Sequence, residues 1–140
     1  MTFMLREVGY GTVISLANIA VHAATMAFVI NAARAADRKW PQVSTARLIA
    51  VMTAAVAVLM IAHTIEVAIW AAAYELVDAV TDGADQLYFA WVNFSTLGYG
   101  DITPVPRWRL LGPMTAMNGI LLFGWSTAVL FEVLRAALRR

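Results

Sequence analysis

Three stretches of this chain, residues 10–33, 46–74 and 110–134, stay apolar for at least the roughly 20 residues a helix needs to cross a bilayer. Within 140 residues that leaves little else. It also restricts the fold, because backbone polar groups in hydrocarbon must bond within their own helix or around a closed barrel. The composition agrees: 61% of residues are hydrophobic and 14% charged, against about 25% charged in soluble domains. A formal charge of +1 offers no bulk attraction for nucleic acid. The absence of cysteine removes disulfides, thiolate metal sites and cysteine nucleophiles. The first apolar run exceeds the about 7–15 residues of a signal-peptide core, and cleavage near Ala36 would leave Arg38, Lys39 and Arg47 on the translocated side. It reads as a retained span. The expected fold class is therefore an all-α membrane protein with three transmembrane helices, residues 1–140 forming a single membrane domain.

Charge sets the expected orientation. Arg34, Arg38, Lys39 and Arg47 outweigh Asp37 between the first two spans, and Arg135, Arg139 and Arg140 outweigh Glu132 at the C-terminal end. Both segments should be cytoplasmic. Glu75, Asp78, Asp82 and Asp85 form a loop without a base, which belongs outside. The N-terminus, with Arg6 balanced by Glu7, also falls outside, and the C-terminus is cytoplasmic.

Between the second and third spans lies an apolar run, 85–95, too short to cross. It leads into Thr96-Leu97-Gly98-Tyr99-Gly100-Asp101. The natural reading is a re-entrant half-helix that returns outward as an irregular strand, tolerated at membrane depth only where protein or a water-filled cavity satisfies it. Asp85 complements the positive end of that half-helix, whose negative end then points at the membrane centre, where a cation needs help. Gly98 and Gly100 can take the positive φ that inward-facing carbonyls require. Asp101 would add negative potential at the outer mouth. The chain supplies its own control in Gly9-Tyr10-Gly11. That copy lacks the preceding threonine, the half-helix and the following aspartate, and reads as the segment leading into the first span.

With these residues in view, the region 46–134 resembles the pore module of the potassium channel superfamily: outer helix, pore helix 85–95, selectivity filter 96–101 and inner helix 110–134. Residues 1–45 add an N-terminal helix and a cytoplasmic loop, and the whole is similar to short bacterial two-transmembrane-type channels in the cell (inner) membrane. The resemblance implies a homotetramer, since one filter strand cannot enclose an ion. Four strands would stack rings of carbonyl oxygens from Thr96, Leu97, Gly98 and Tyr99, replacing the hydration shell of K+ as transported ligand, with the Thr96 hydroxyl closing the inner end. No other cofactor is implied. The family's gating hinge falls on Gly119, with Thr127 lining the path and Phe131 near the cytoplasmic constriction. Leu97 replaces the usual filter valine, and Val92 and Asn93 stand where some relatives place an acid that pairs with the filter aspartate. The first span lacks spaced arginines, so it does not read as a voltage sensor. Tyr88, Phe89 and Trp91 are expected to form an aromatic cuff between subunits.

Inside the spans the unusual residues are Asn18, His22, His63 and Glu66. Polar groups at such depth are costly and usually paired. Counted from the cytoplasmic loop, His22 and His63 fall at one depth, and Asn18 and Glu66 about one turn further out. The cluster reads either as a neutral clamp that fixes helix docking or as a proton-sensitive coupling between the first two helices. A metal site is a third option, without tight spacing to support it. Asn118 and Ser126 are expected to face the central cavity or to bond their own helix backbone. Trp40 and Trp108 suit the two membrane interfaces, and Ala17, Ala20, Ala24 and Ala27 permit close helix approach. No catalytic constellation is visible. Besides a potassium-selective channel, a weakly selective cation channel and a non-conducting accessory subunit are the readings that flux measurements separate.

Overall fold

A computed structural model describes residues 2–39, 44–81 and 84–138. Trp40, Asp82, Arg139 and Arg140, used above for interface and orientation, lie outside these. Four α-helices follow one another: α1 Thr2–Lys39, α2 Thr45–Leu76, α3 Gln86–Phe94 and α4 Leu111–Leu138, with a 3-10 turn at Pro106–Trp108 before α4. There is no strand among the described residues. α1, α2 and the stretch from the 3-10 turn through α4 are long and apolar enough to cross a membrane, so the chain is a multi-pass membrane protein. At about 1.5 Å per residue, the 38 and 32 residues of α1 and α2 exceed a hydrocarbon layer of roughly 30 Å, so these helices tilt or project beyond it.

The helix ends follow local chemistry. Arg38 and Lys39 in the last turn of α1 complement its negative end. Ser44 caps α2 by accepting from the Arg47 amide at 3.2 Å, and an Arg47–Asp37 ion pair at 2.8 Å joins the facing ends of α1 and α2. α2 stops where Asp78 takes a left-handed φ of 49°, the conformation that ends many helices. The α4 end is closed from a distance. Glu7, buried near the start of α1, accepts from the Leu110 amide at 3.0 Å and so satisfies a donor at the mouth of α4. Glu7 thus serves as a cap in the structure, where the charge count alone had set it against Arg6.

α1 packs against both α2 and α4, and α3 sits between α2 and α4. One apolar cluster, centred on Trp70, Tyr74, Phe89, Phe94, Leu111 and Leu122, holds α3 in place. A second, of Met26, Val29, Ala55, Leu59, Val129 and Val133, binds α1, α2 and α4 toward the α1–α2 loop end. Several expectations need correction. Gly9-Tyr10-Gly11 lies inside α1, not ahead of it. Ala17, Ala20, Ala24 and Ala27 are exposed and form no part of the chain's buried core, with Ala24 at the edge of a groove against Val58, Ile61 and Ile65 of α2. Phe89 belongs to the chain's own core, 4.9 Å from the Tyr74 ring, while Tyr88 and Trp91 remain exposed.

Candidate functional site

α3 opens on Asp85, whose carboxylate accepts from the Tyr88 amide at 2.9 Å. Its last turn leaves carbonyls without intrahelical partners, as every helix does. The residues after it satisfy them. The Thr96 amide donates to the Asn93 carbonyl at 2.9 Å, and the amides of Leu97 and Gly98 donate to the Val92 carbonyl at 2.9 and 3.3 Å. The segment's donors are therefore turned toward α3. Along it φ is positive at Thr96 (61°), Gly98 (62°) and Gly100 (77°), and at neither Leu97 nor Tyr99. Such alternation gathers amides on one side of a strand and carbonyls on the other. The stretch from Ser95 to Asp101 is exposed throughout, with Tyr99 at 68%.

Asp101 is tied at both oxygens. Tyr88 donates its hydroxyl to Oδ2 at 2.7 Å, and the Ile102 amide donates to Oδ1 at 3.1 Å. The tyrosine hydrogen bond holds the Asp101 carboxyl below its ordinary range and raises the Tyr88 phenol above its own. Tyr88 thus supplies from α3 the partner that Val92 and Asn93 do not. Asn93 instead donates to the Phe89 carbonyl of its own helix at 2.8 Å.

Gly119 lies within an unbroken α4, and a Cβ there would stand 2.0 Å from the Phe94 carbonyl oxygen. The glycine lets the end of α3 touch the α4 backbone. Phe94 therefore meets α4 eight residues beyond its first residue, about 12 Å along the axis. Thr127 and Phe131 are exposed, and the Thr127 hydroxyl donates to the Phe123 carbonyl of its own helix at 3.0 Å.

Behind α3 the buried polar residues form layers. Tyr74 hydrogen-bonds Thr115. Next, the Asn118 amide oxygen accepts from Trp70 at 3.0 Å and from Asn18 at 3.1 Å, and Asn18 also donates to the Glu66 carbonyl at 3.2 Å. The third layer brings His22, His63 and Glu66 together. Glu66 Oε1 lies 2.7 Å from His22 Nδ1, and Oε2 lies 2.8 Å from His63 Nδ1. Ser126 Oγ lies 3.0 Å from His63 Nε2 and 3.4 Å from His22 Nε2. The imidazoles stack with centroids 5.4 Å apart.

Two expectations for α4 are corrected here. Asn118 and Ser126 neither line a cavity nor bond their own backbone; both bond side chains of α1 and α2. Their signal was in the spacing. Glu66, Trp70 and Tyr74 recur every four residues on α2, as do Asn18 and His22 on α1, and Thr115, Asn118, Leu122 and Ser126 share one face of α4. The ligand-type atoms of His22, His63 and Glu66 lie within 4.8 Å of one another. Yet a tetrahedral ion with ligands at about 2.0–2.1 Å would hold its nitrogen and oxygen ligands about 3.4 Å apart. Contacts of 2.7 and 2.8 Å are direct hydrogen bonds.

Residues 62–136 match a family model described as ion channel, a stretch that takes in the C-terminal part of α2, all of α3, the Thr96–Asp101 segment and nearly all of α4. A search of curated proteins and one of solved structures each returned no match. The matched stretch covers over half the chain and contains both the strand after α3 and the α4 face that supports it. The chain belongs to the family of two-transmembrane, potassium-channel-like ion channels.

Proposed function

We propose that the chain is one subunit of a homotetrameric potassium channel of the cell (inner) membrane, conducting passively through rings of Thr96, Leu97, Gly98 and Tyr99 carbonyls. The observation that carries the reading is the alternating φ of the segment, with its amides held by the Val92 and Asn93 carbonyls. Among the described residues no hydrogen bond is made to the carbonyls of Thr96 to Tyr99, which are available to a cation on a shared axis. The meeting of Phe94 with Gly119, about 12 Å along α4, supports α3 as a re-entrant pore helix ending at membrane depth. Its negative end then faces the cation path.

In this reading Asp101 stands at the outer mouth, locked to the pore helix by Tyr88. Thr127 and Phe131, exposed on α4, face the path below the filter. A hinge at Gly119 would have to part the Gly119–Phe94 contact, so movement of the inner helix and of the filter base are one event. The basic α1–α2 loop and the C-terminal end lie in the cytoplasm, and the N-terminus lies outside. Reconstituted vesicles test the assignment. Potassium flux without sodium flux is expected. Equal passage of sodium would make it a weakly selective cation channel, and no flux in either ion would make it a non-conducting relative.

A further inference from the structure

The His22–Glu66–His63–Ser126 ring has no part in the conduction path, yet it joins α1, α2 and α4 directly behind the end of α3. Its four contacts make a closed circuit: the carboxylate bridges the two Nδ1 atoms, and the hydroxyl bridges the two Nε2 atoms. Each contact needs one hydrogen. With Glu66 ionised and both imidazoles neutral, the ring owns one hydrogen on each imidazole and one on the hydroxyl, one short of its four contacts, and carries charge −1. One added proton fills every contact and brings the charge to zero, the state suited to the membrane interior. A second added proton makes both imidazoles cationic. Their four N–H groups then cover the ring by themselves, the serine hydrogen turns to its own helix backbone, and the charge becomes +1.

The geometry therefore accepts a further proton without breaking, while the charge changes in a buried site. We infer that this ring is a proton-binding site whose occupancy is read by the pore helix, a regulatory role that rests on the channel reading above. The connection is short. The His63 ring lies 6.0 Å from Phe94, the last residue of α3, and 4.6 Å from Phe123, and those two phenylalanines meet edge to face at 5.4 Å. Thr96 follows Phe94 by two residues. The ionisable groups facing the ring are His22 from α1 and His63 and Glu66 from α2; α4 presents Ser126, Phe123 and Trp125, and α3 presents Phe94. Entry is from the His63 side, whose side chain keeps 10% of its surface open while those of His22 and Glu66 keep none. Positive charge gained behind the filter base repels cations there, so flux should fall on acidification.

The test uses the full chain in bilayers. Potassium flux is expected to fall as the pH is lowered from about 8 to about 5. Ser126→Ala removes the acceptor of the doubly protonated state and should move the midpoint about one unit to lower pH; Glu66→Gln should abolish the transition. A flat or rising profile, or one that Ser126→Ala leaves in place, overturns the inference. Because Glu66→Gln can also impair folding, imidazole 15N spectra of the unaltered protein give a second reading: proton uptake on the rings with a concurrent shift of Thr96 signals supports it, and rings that do not titrate, or a Thr96 that does not respond, overturn it. An unaltered protein with no flux at any pH fails the channel reading instead, and the spectra still decide the ring. Zinc bound one per chain after purification in zinc-containing buffer, and lost in Glu66→Gln, would make the cluster a metal centre and overturn the proton site.

Discussion

The tripeptide Gly-Tyr-Gly occurs twice in this chain and does two unrelated things. Residues 9–11 continue an α-helix, Tyr10 donating its hydroxyl to the Ala73 carbonyl at 2.9 Å, and Gly11 letting Met114 come close enough that a Cβ would stand 2.6 Å from its sulfur. Residues 98–100 take positive φ at both glycines, with no neighbour within 4 Å of either added Cβ. In the first copy one glycine is needed for space and none for conformation; in the second both are needed for conformation and neither for space. What separates them is the preceding sequence. Only the second follows a nine-residue helix whose last carbonyls require donors.

Substitutions can break this contrast. The largest effect is expected at Gly98. Alanine there fits the space but not the backbone, at about 1–2 kcal/mol per subunit, so Gly98→Ala should lower potassium flux at least about tenfold while circular dichroism reports unchanged helix content. Tyr10→Phe should cost about 1 kcal/mol of stability, seen as earlier thermal unfolding in detergent, with ion selectivity retained. The smallest effect compares the first copy with itself. Gly9 has nothing within 4 Å of an added Cβ, so Gly9→Ala should stabilise α1 by up to about 1 kcal/mol. Gly11→Ala has the same propensity gain but must displace Met114, and should be the less stable of the two variants. Equal stabilities would remove the packing role assigned to Gly11.

The filter-like segment shows how far local sequence reaches. Thr96 to Gly100 could be read from two glycines, a threonine and a short apolar run, because the conformational demand and its solution lie within a dozen residues. The tie between Tyr88 and Asp101 was harder. It depends on the strand returning past the start of the helix it left, and Val92 and Asn93 drew attention because relatives use those positions. Phe89 was assigned to a subunit boundary, but the α2 ring of Tyr74 takes it into the core. Ser126 was missed for a further reason. A lone serine in a span commonly bonds its own backbone, and only the rotation of α4 against α1 and α2 turns it to the histidines.

Three spans, their expected orientation and a strand that must bend at two glycines all follow from residue order, since hydrophobic length, charge bias and positive φ are local properties. Depth along the spans also grouped Asn18, His22, His63 and Glu66, but the individual contacts, and the part of α4 in them, did not follow. His22 and Glu66 are 44 residues apart, and Ser126 and His22 are 104 apart. In a soluble helix a broad polar face would announce the rotation; in these spans a few polar residues at helical spacing mark a face, and packing decides which faces meet. Tertiary structure thus closed the ring, seated Phe94 on Gly119 and turned Glu7 onto α4.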